Sequence, residues 1–140
     1  MFIKSFLKSC VCMTEWEKLL LPCPIGPTPK ITLQFKPEGN PRQAITSVLT
    51  KYGIPWGYFL SHNRILSCRM TFTIFEDGTL LFALDPKEDK ILETIEFAIK
   101  LLREMGFIND ENEQKVREKM MRDWDRWVNV FGPALPMFLS

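Results

Sequence analysis

Residues 68–84 carry the pattern that most constrains this chain, because their side chains alternate like those of a β-hairpin. The large apolar residues of its two arms are Met70, Phe72, Ile74, Leu80, Phe82 and Leu84. A two-residue turn would place the two arms' apolar residues on opposite faces, whereas a three-residue loop over 76–78 pairs Ile74 with Leu80. Since that register puts all six on one face, it predicts the three-residue loop, with Gly78 at positive φ.

The segment after the hairpin is predicted to be a helix that packs on the sheet. Asp85 is expected to cap its first turn and Pro86 to occupy its first position, both favourable at helix starts. Apolar residues then recur with helical spacing as far as Met105, and Gly106 is expected to end the helix. The apolar stripe is wide, which predicts a central place for this helix.

A second helix is predicted before the hairpin, with Asn40 as its cap, Pro41 as its first residue and Gly53 at its end. Short strands are predicted within residues 30–36 and 56–60, where apolar residues alternate or cluster. The predicted fold class is α+β. A small, mainly antiparallel sheet of three to four strands is covered on one face by helices, with an additional C-terminal helix.

Prolines divide the chain into a terminal segment and one domain. Residues 1–29 combine an amphipathic stretch with a proline-rich linker, since four of the eight residues over 22–29 are proline. Residues 30–140 are predicted to form a single α+β domain, which is long enough to bury one hydrophobic core.

Charge and cysteine content restrict the possible partners and the location. The formal net charge is +1 at pH 7, so no strong global field steers the chain to nucleic acid or to an anionic membrane. The chain has four cysteines and no convincing signal peptide, so the cysteines are expected to remain reduced thiols. The predicted location is therefore cytoplasmic, a reducing compartment.

The predicted C-terminal helix, over about residues 110–130, carries aromatic residues along one side. Trp124, Trp127 and Phe131, together with Met120, recur at helical spacing and are predicted to form an interface. Two interpretations stay open. The tryptophans dock the helix on its own core, or, if the core leaves them uncovered, they form a dimerisation face.

Basic residues interleave with these aromatic residues, which gives nucleic-acid binding as an alternative. Arginine side chains could contact phosphates while the rings stack on bases, although solvated arginines would give the same pattern. A predicted turn with one histidine and one arginine is a second candidate contact. The residues assigned to this alternative are His62, Asn63, Arg64, Arg117, Arg122 and Arg126.

The order of elements from residue 40 to 106 is predicted as helix, three strands and helix. The residues that open this segment are Asn40, Pro41, Ala44, Leu49, Gly53, Ile54 and Pro55. Together they resemble the start of a double-stranded RNA-binding domain. Three features of that family differ here. Ser47 stands where the family has a glutamate on the first helix, and residues 87–90, which are half acidic, stand where its last helix has a basic start. The family's loop with glycine and histidine corresponds to the shorter segment 61–64. Phosphate contacts supply most of the affinity of such domains for RNA, and the residues that make these contacts are not retained here. The resemblance therefore implies binding to protein instead of RNA.

The sequence contains no recognisable catalytic or cofactor-binding motif. His62 is the sole histidine, so most histidine metal sites and Ser–His pairs would lack a partner. Cys68 is close in sequence but is expected on the core face, and neither a P-loop nor a dinucleotide fingerprint is present. The chain is therefore predicted to be a non-enzyme, with no metal, no cofactor and no identified small-molecule substrate.

Three functional hypotheses follow from these features. The leading one is a non-catalytic interaction module that self-associates as a homodimer or binds a protein partner, and nucleic-acid binding is the second. The third is a peripheral membrane or viral coat- or matrix-type role, in which an apolar N-terminal segment contacts a membrane surface. The residues assigned to that role are Phe2, Ile3, Phe6 and Leu7.

Overall fold

The computed structural model describes residues 13–24 and 28–131. Over these residues the chain forms a five-stranded antiparallel sheet and four α-helices. In chain order they are α1 Glu15–Leu20, β1 Ile31–Phe35, α2 Pro41–Lys51, β2 Gly57–Phe59, β3 Arg64–Ser67, β4 Met70–Ile74, β5 Leu80–Leu84, α3 Ile91–Glu104 and α4 Glu113–Phe131. Short 3-10 turns occupy Leu60–His62 and Glu88–Lys90.

The sheet has the strand order β1-β5-β4-β3-β2, so the α+β class is confirmed but the predicted three to four strands are too few. Four strands, and not three, separate α2 from α3. The extra strand arises because β3 and β4 are joined by a two-residue turn at Cys68 and Arg69, with Ser67 opposite Met70. The turn was hidden in the sequence because Cys68 adopts a φ of 56° without the glycine or asparagine that usually marks such a turn.

The predicted register of the central hairpin is confirmed. Ile74 lies opposite Leu80, and the Phe75 amide donates to the Thr79 carbonyl at 2.8 Å across the three-residue loop. Gly78 has a φ of 91°, a backbone conformation that is strained for residues with a side chain. The alternation of side chains therefore predicted both the pairing of the two strands and the loop in which the glycine has a positive φ.

One predicted helix start is confirmed and the other is wrong. The Asn40 side chain accepts a hydrogen bond from the Arg42 amide at 3.1 Å, and Pro41 is the first residue of α2. Asp85 does not cap α3, which begins six residues later at Ile91. Its carboxylate is buried and accepts a hydrogen bond from Lys30 Nζ at 2.6 Å, so a tertiary ion pair replaces the expected cap.

The two faces of the sheet differ in burial. The inner face carries fully buried rings at Phe72 and Phe82, whose centroids lie 5.2 Å apart, and these belong to one core cluster with residues of all four helices. On the opposite face Thr32 and Gln34 of β1 are exposed, as is Phe59 of β2. The apolar inner face therefore accounts for most of the hydrophobic stabilisation of the sheet.

Helix α4 covers the outer edge of β1. The Thr32 amide donates to Asp123 Oδ2 at 3.0 Å, and Lys119 Nζ donates to the Thr32 carbonyl at 2.8 Å. Lys119 and Asp123, which are paired with each other, thus satisfy the two backbone groups that a further strand would otherwise bind. This contact fixes the position of α4 and closes one edge of the sheet.

Cys23 and Cys68 form a disulfide, with Cα atoms 4.7 Å apart, so the prediction of reduced thiols is wrong for this pair. The bridge ties the segment after α1 to the β3–β4 turn. Cys68 lies in that turn, where it is half-buried and packs against the core. The two cysteines are 45 residues apart and carry no local pattern that predicts their contact, whereas Cys10 and Cys12 lie outside the described residues.

Candidate interaction surface

The predicted aromatic residues of α4 form a continuous stack, here called the aromatic stripe: Trp124, Trp127 and Phe131. The ring centroids of Trp124 and Trp127 lie 5.5 Å apart at 17°, and those of Trp127 and Phe131 lie 5.4 Å apart at 39°. Spacings of three and four residues bring the rings onto one side of the helix. The stack holds each ring against its neighbour, so the surface is largely ordered before any partner binds.

Exposure rises along the helix towards the end of the stripe. Met120, which was predicted to be part of the interface, is fully buried in the chain's own core, and Trp124 is half-buried against that core. Trp127 is also half-buried, whereas Phe131 is 50% exposed and Val130 is 63% exposed. The first part of the helix therefore docks on the core, whereas the end of the helix, from Val128 to Phe131, remains exposed.

A cation and a shallow depression adjoin the stripe. Lys30 Nζ lies 4.7 Å from the ring centroid of Trp127, which favours a cation–π contact, while the same ammonium pairs with Asp85. The depression has a volume of about 300 Å³, and Thr32 and Phe131 lie on its walls. The depression is open and small.

The three arginines predicted to bind nucleic acid differ in their surroundings. Arg117 pairs with both carboxylate oxygens of Glu96, at 2.5 and 2.8 Å, and with Glu113 at 3.0 Å. The hydrogen bonds that Arg117 donates to these two carboxylates raise its pKa above the already high ordinary value. Arg117 therefore links α4 to α3, whereas Arg122 and Arg126 are exposed.

The loop predicted as a second nucleic-acid contact lies at the other edge of the sheet, beside β2. Asn63 has a φ of 47° and accepts a hydrogen bond from the Tyr58 hydroxyl at 2.7 Å. Arg64 Nε donates to Thr73 Oγ1 at 3.1 Å, and His62 Nδ1 lies 2.8 Å from Ser61 Oγ. Four strand spacings of about 4.8 Å separate β2 from β1, so this loop and α4 lie at edges about 19 Å apart and do not form one site.

Tyr52 lies at the contact between α2 and α3. Its hydroxyl donates to Glu104, which raises the pKa of Tyr52 to about 12. Hydrogen bonds from Lys51, at 2.7 Å, and from Tyr52 lower the pKa of Glu104. The tyrosine thus stays protonated and the carboxylate stays ionised near neutral pH, which suits a structural link and not a proton-transfer pair.

Replacing Glu104 with glutamine is expected to lower the pKa of Tyr52 from about 12 towards its ordinary value of about 10, because the carboxylate that favours the protonated phenol is lost. The ultraviolet absorbance of tyrosinate reports this ionisation. The chain has two tyrosines, so the titration is best made in a Tyr58→Phe background. An unchanged alkaline transition would show that Glu104 does not bind the Tyr52 hydroxyl in solution.

The sole histidine borders an open cleft of about 990 Å³ between the His62 loop and the tip of the β4–β5 hairpin. Its hydrogen-bonded neighbour Ser61 is adjacent in sequence, and the hydrogen bonds of the described residues give the ring no orienting carboxylate. Within residues 13–24 and 28–131, no three histidine, cysteine or acidic side chains are grouped so as to hold a metal ion.

The residues assigned to membrane contact, Phe2, Ile3, Phe6 and Leu7, lie outside the described part of the chain. None of the helices found in residues 13–24 and 28–131 has the length and apolar character that crossing a bilayer requires.

One exposed apolar group was missed in the sequence. Trp56, Phe59 and Leu60 flank or belong to β2 and are 42%, 52% and 80% exposed. The apolar run over residues 56–60 predicts a strand, but the place of that strand at the edge of the sheet depends on strand order, which local pattern does not encode.

Comparison of the chain with protein-family models gives no match, and comparisons with the curated proteins and with the solved structures give no significant match.

Proposed function

We propose that this protein is a non-catalytic interaction module that self-associates through the outer half of its aromatic stripe. The observation that carries the proposal is the exposed Phe131 ring, stacked on Trp127 at the end of α4. The domain that presents it is taken to be two-layered, with the helices on one face of the sheet. Within the described residues, the stripe combines stacked aromatic rings, which are held in place before binding, with a surface that is exposed at its end.

Energetics favour such a surface as a binding site. Aromatic side chains dominate the binding free energy of protein interfaces because they bury a large apolar area at a small cost in conformational entropy. Here the stacking of Trp127 between Trp124 and Phe131 already restricts its rotation. Association therefore orders fewer side chains, which leaves more of the gain from burial as affinity.

The charges around the stripe favour a second copy of this chain as the partner. Exposed residues on α4 include the acidic Glu118 and Asp125 and the basic Arg122 and Arg126. Two copies of the helix packed antiparallel about a two-fold axis can bring acidic residues of one copy near basic residues of the other. An isologous interface needs this kind of self-complementarity.

Nucleic-acid binding is the second candidate, because Arg122 and Arg126 are exposed beside the stripe. Against it, α4 has five basic and four acidic residues, and Arg117 is held in ion pairs with Glu96 and Glu113. A nearly neutral helix releases few counterions from a phosphate backbone, so its electrostatic gain on binding would be small.

The disulfide bears on where the module works. Reducing conditions in the cytoplasm open most disulfides, whereas secreted, periplasmic and surface proteins retain them. The cytoplasmic location expected from the sequence therefore conflicts with the bridge between Cys23 and Cys68. We propose that the protein works in a compartment where this bridge persists.

Light scattering over a range of protein concentrations tests the proposal. The mass of the wild-type protein should exceed the chain mass of 16.4 kDa and rise with concentration, and Phe131→Asp should lower it at each concentration. Phe131 is the better probe than Trp124, whose ring also packs on the core. A Leu92→Asp variant is the matched control, because Leu92 is 61% exposed on a different helix.

Three results of this experiment would count against self-association through the stripe. Equal masses for the wild type and Phe131→Asp would show that the stripe is not the interface, and a wild-type monomer at every concentration would refute self-association itself. A raised 260/280 nm absorbance ratio that falls after nuclease treatment at high salt would place nucleic-acid binding first.

A further inference from the structure

The strand β2 forms the edge of the sheet opposite α4, and its surroundings are apolar. While Lys119 and Asp123 bind the backbone of β1, the strand β2 consists of Gly57, Tyr58 and Phe59, with no charged side chain. Phe59 is 52% exposed and the adjoining Leu60 is 80% exposed. Proteins protect sheet edges from pairing with other chains by short strands, charges, prolines or a cover; β2 is short, at three residues, but it contains neither a charge nor a proline.

The direction of the β2 backbone groups follows from the ladder. The backbone carbonyl of Asn63 accepts a hydrogen bond from the Ile74 amide at 3.0 Å. Along an antiparallel pair, residues that bond to the neighbouring strand alternate with residues that do not. Ile65 therefore bonds towards β4, while Arg64 and Leu66, its neighbours, bond towards β2. Their partners on β2 are Phe59 and Gly57, so the backbone N–H and C=O of Tyr58 point outward from the sheet.

We propose that two copies of this chain pair their β2 strands antiparallel about a two-fold axis at Tyr58, which joins the two sheets into one. The Tyr58 amide donates to the carbonyl of the partner's Tyr58, and the reciprocal bond forms by symmetry. The side chain of Tyr58 does not obstruct this pairing, because its hydroxyl binds Asn63 and Arg42 stacks on its ring with Cζ 4.6 Å from the centroid.

The residues beside the axis complement one another. Gly57 comes to lie opposite the partner's Phe59 in a non-hydrogen-bonded pair, where Cα atoms approach to about 4.5 Å. A Cβ built on Gly57 would meet nothing within 4 Å, so there is room on that face of the strand. Residues 57 and 59 share a face, which allows the exposed Phe59 ring to cover the glycine of the other copy, a favourable cross-strand arrangement. A second copy therefore complements this edge in its backbone hydrogen bonds and in its side chains.

This inference is independent of the proposed self-association through the aromatic stripe, because β2 and α4 lie at opposite edges of the sheet. A chain that uses both isologous surfaces can assemble beyond a dimer. A chain that uses one of them stops at a dimer. The two surfaces can therefore be distinguished by variants that alter one at a time.

The test measures the mass of the Phe131→Asp protein with and without a second change, Phe59→Lys. Phe131→Asp should still form a dimer, and adding Phe59→Lys should raise its dissociation constant by about tenfold or more, because a lysine at the edge opposes pairing. Adding Leu92→Asp to Phe131→Asp is the control and should leave the dimer unchanged. Monomeric Phe131→Asp at every concentration, or a dimer that Phe59→Lys does not weaken, would overturn the inference.

Hydrogen exchange gives a readout that does not depend on substitution of β2. In the Phe131→Asp protein the Tyr58 amide should exchange more slowly as protein concentration rises, by about tenfold once most of the protein is dimeric. In a monomer it has no strand partner within the described part of the chain. An exchange rate of the Tyr58 amide that is independent of concentration, in a protein shown to be dimeric, would also refute the β2 pairing.

Discussion

Reduction of the bridge between Cys23 and Cys68 is expected to lower the free energy of unfolding by about 4 kcal/mol. The bridge closes a loop of 45 residues in the unfolded chain, and the chain-entropy model gives a stabilisation of that size for such a loop. The bridge also fastens the segment after α1 to the β3–β4 turn. Urea unfolding followed by tryptophan fluorescence, with and without a phosphine reductant, measures the difference.

A Cys23→Ser variant provides the control for this measurement. It should be destabilised by a similar amount and should show no further response to the reductant, because Cys23 then has no sulfur with which to form the bridge. Peptide mapping of the untreated wild type should recover Cys23 and Cys68 in one cross-linked species. Identical urea midpoints in both redox states would contradict a stabilising role for the bridge.

Replacing Asp85 with alanine is expected to destabilise the protein by about 3–5 kcal/mol, the usual cost of removing one partner from a buried ion pair. Lys30 Nζ lies 2.6 Å from one carboxylate oxygen and Arg69 Nη1 lies 3.9 Å from the other. The side chains of Lys30 and Arg69 are only 11% and 12% exposed, so both would remain largely buried without their counter-charge.

The urea midpoint again gives the measurement, with Asp89→Ala as the control. Asp89 is exposed in the short turn before α3, so the same substitution there should change the stability by less than about 0.5 kcal/mol. Arg69 also donates to the carbonyls of Leu20 and Pro22, at 3.0 and 3.1 Å, so loss of Asp85 should loosen the segment after α1 as well. Equal midpoints for the two variants would show that the Asp85 ion pair does not stabilise the fold.

The contrast between Asn40 and Asp85 shows how far local sequence signals extend. Both residues precede a proline and both were predicted to cap a helix. Asn40 does so because its neutral side chain finds its partner two residues away, at the Arg42 amide. Asp85 carries a charge and finds Lys30, which is 55 residues away, and this stronger contact overrides the local preference.

The predicted interface residues divide in the same way. Helical spacing correctly placed Trp124, Trp127 and Phe131 on one side of a helix. It did not reveal that Met120 is fully buried while Phe131 is half exposed, because the end of the helix extends past the part that packs on the core. How much of a helix side chain is exposed depends on how far the core beneath the helix extends. That extent is set by the assembled tertiary structure.

By itself the sequence determined the class of the fold, the register of the central hairpin and the start of α2, because those features depend on contacts between residues close along the chain. Alternation selects a buried face, and a capping side chain needs an amide only a few residues away. Tertiary structure alone decided the strand order, the disulfide, the ion pair of Asp85 and the covering of β1 by α4. The disulfide, the ion pairs of Asp85 and the covering of β1 join residues between 16 and 91 positions apart, where solvent exclusion and charge pairing act between segments that no local pattern connects.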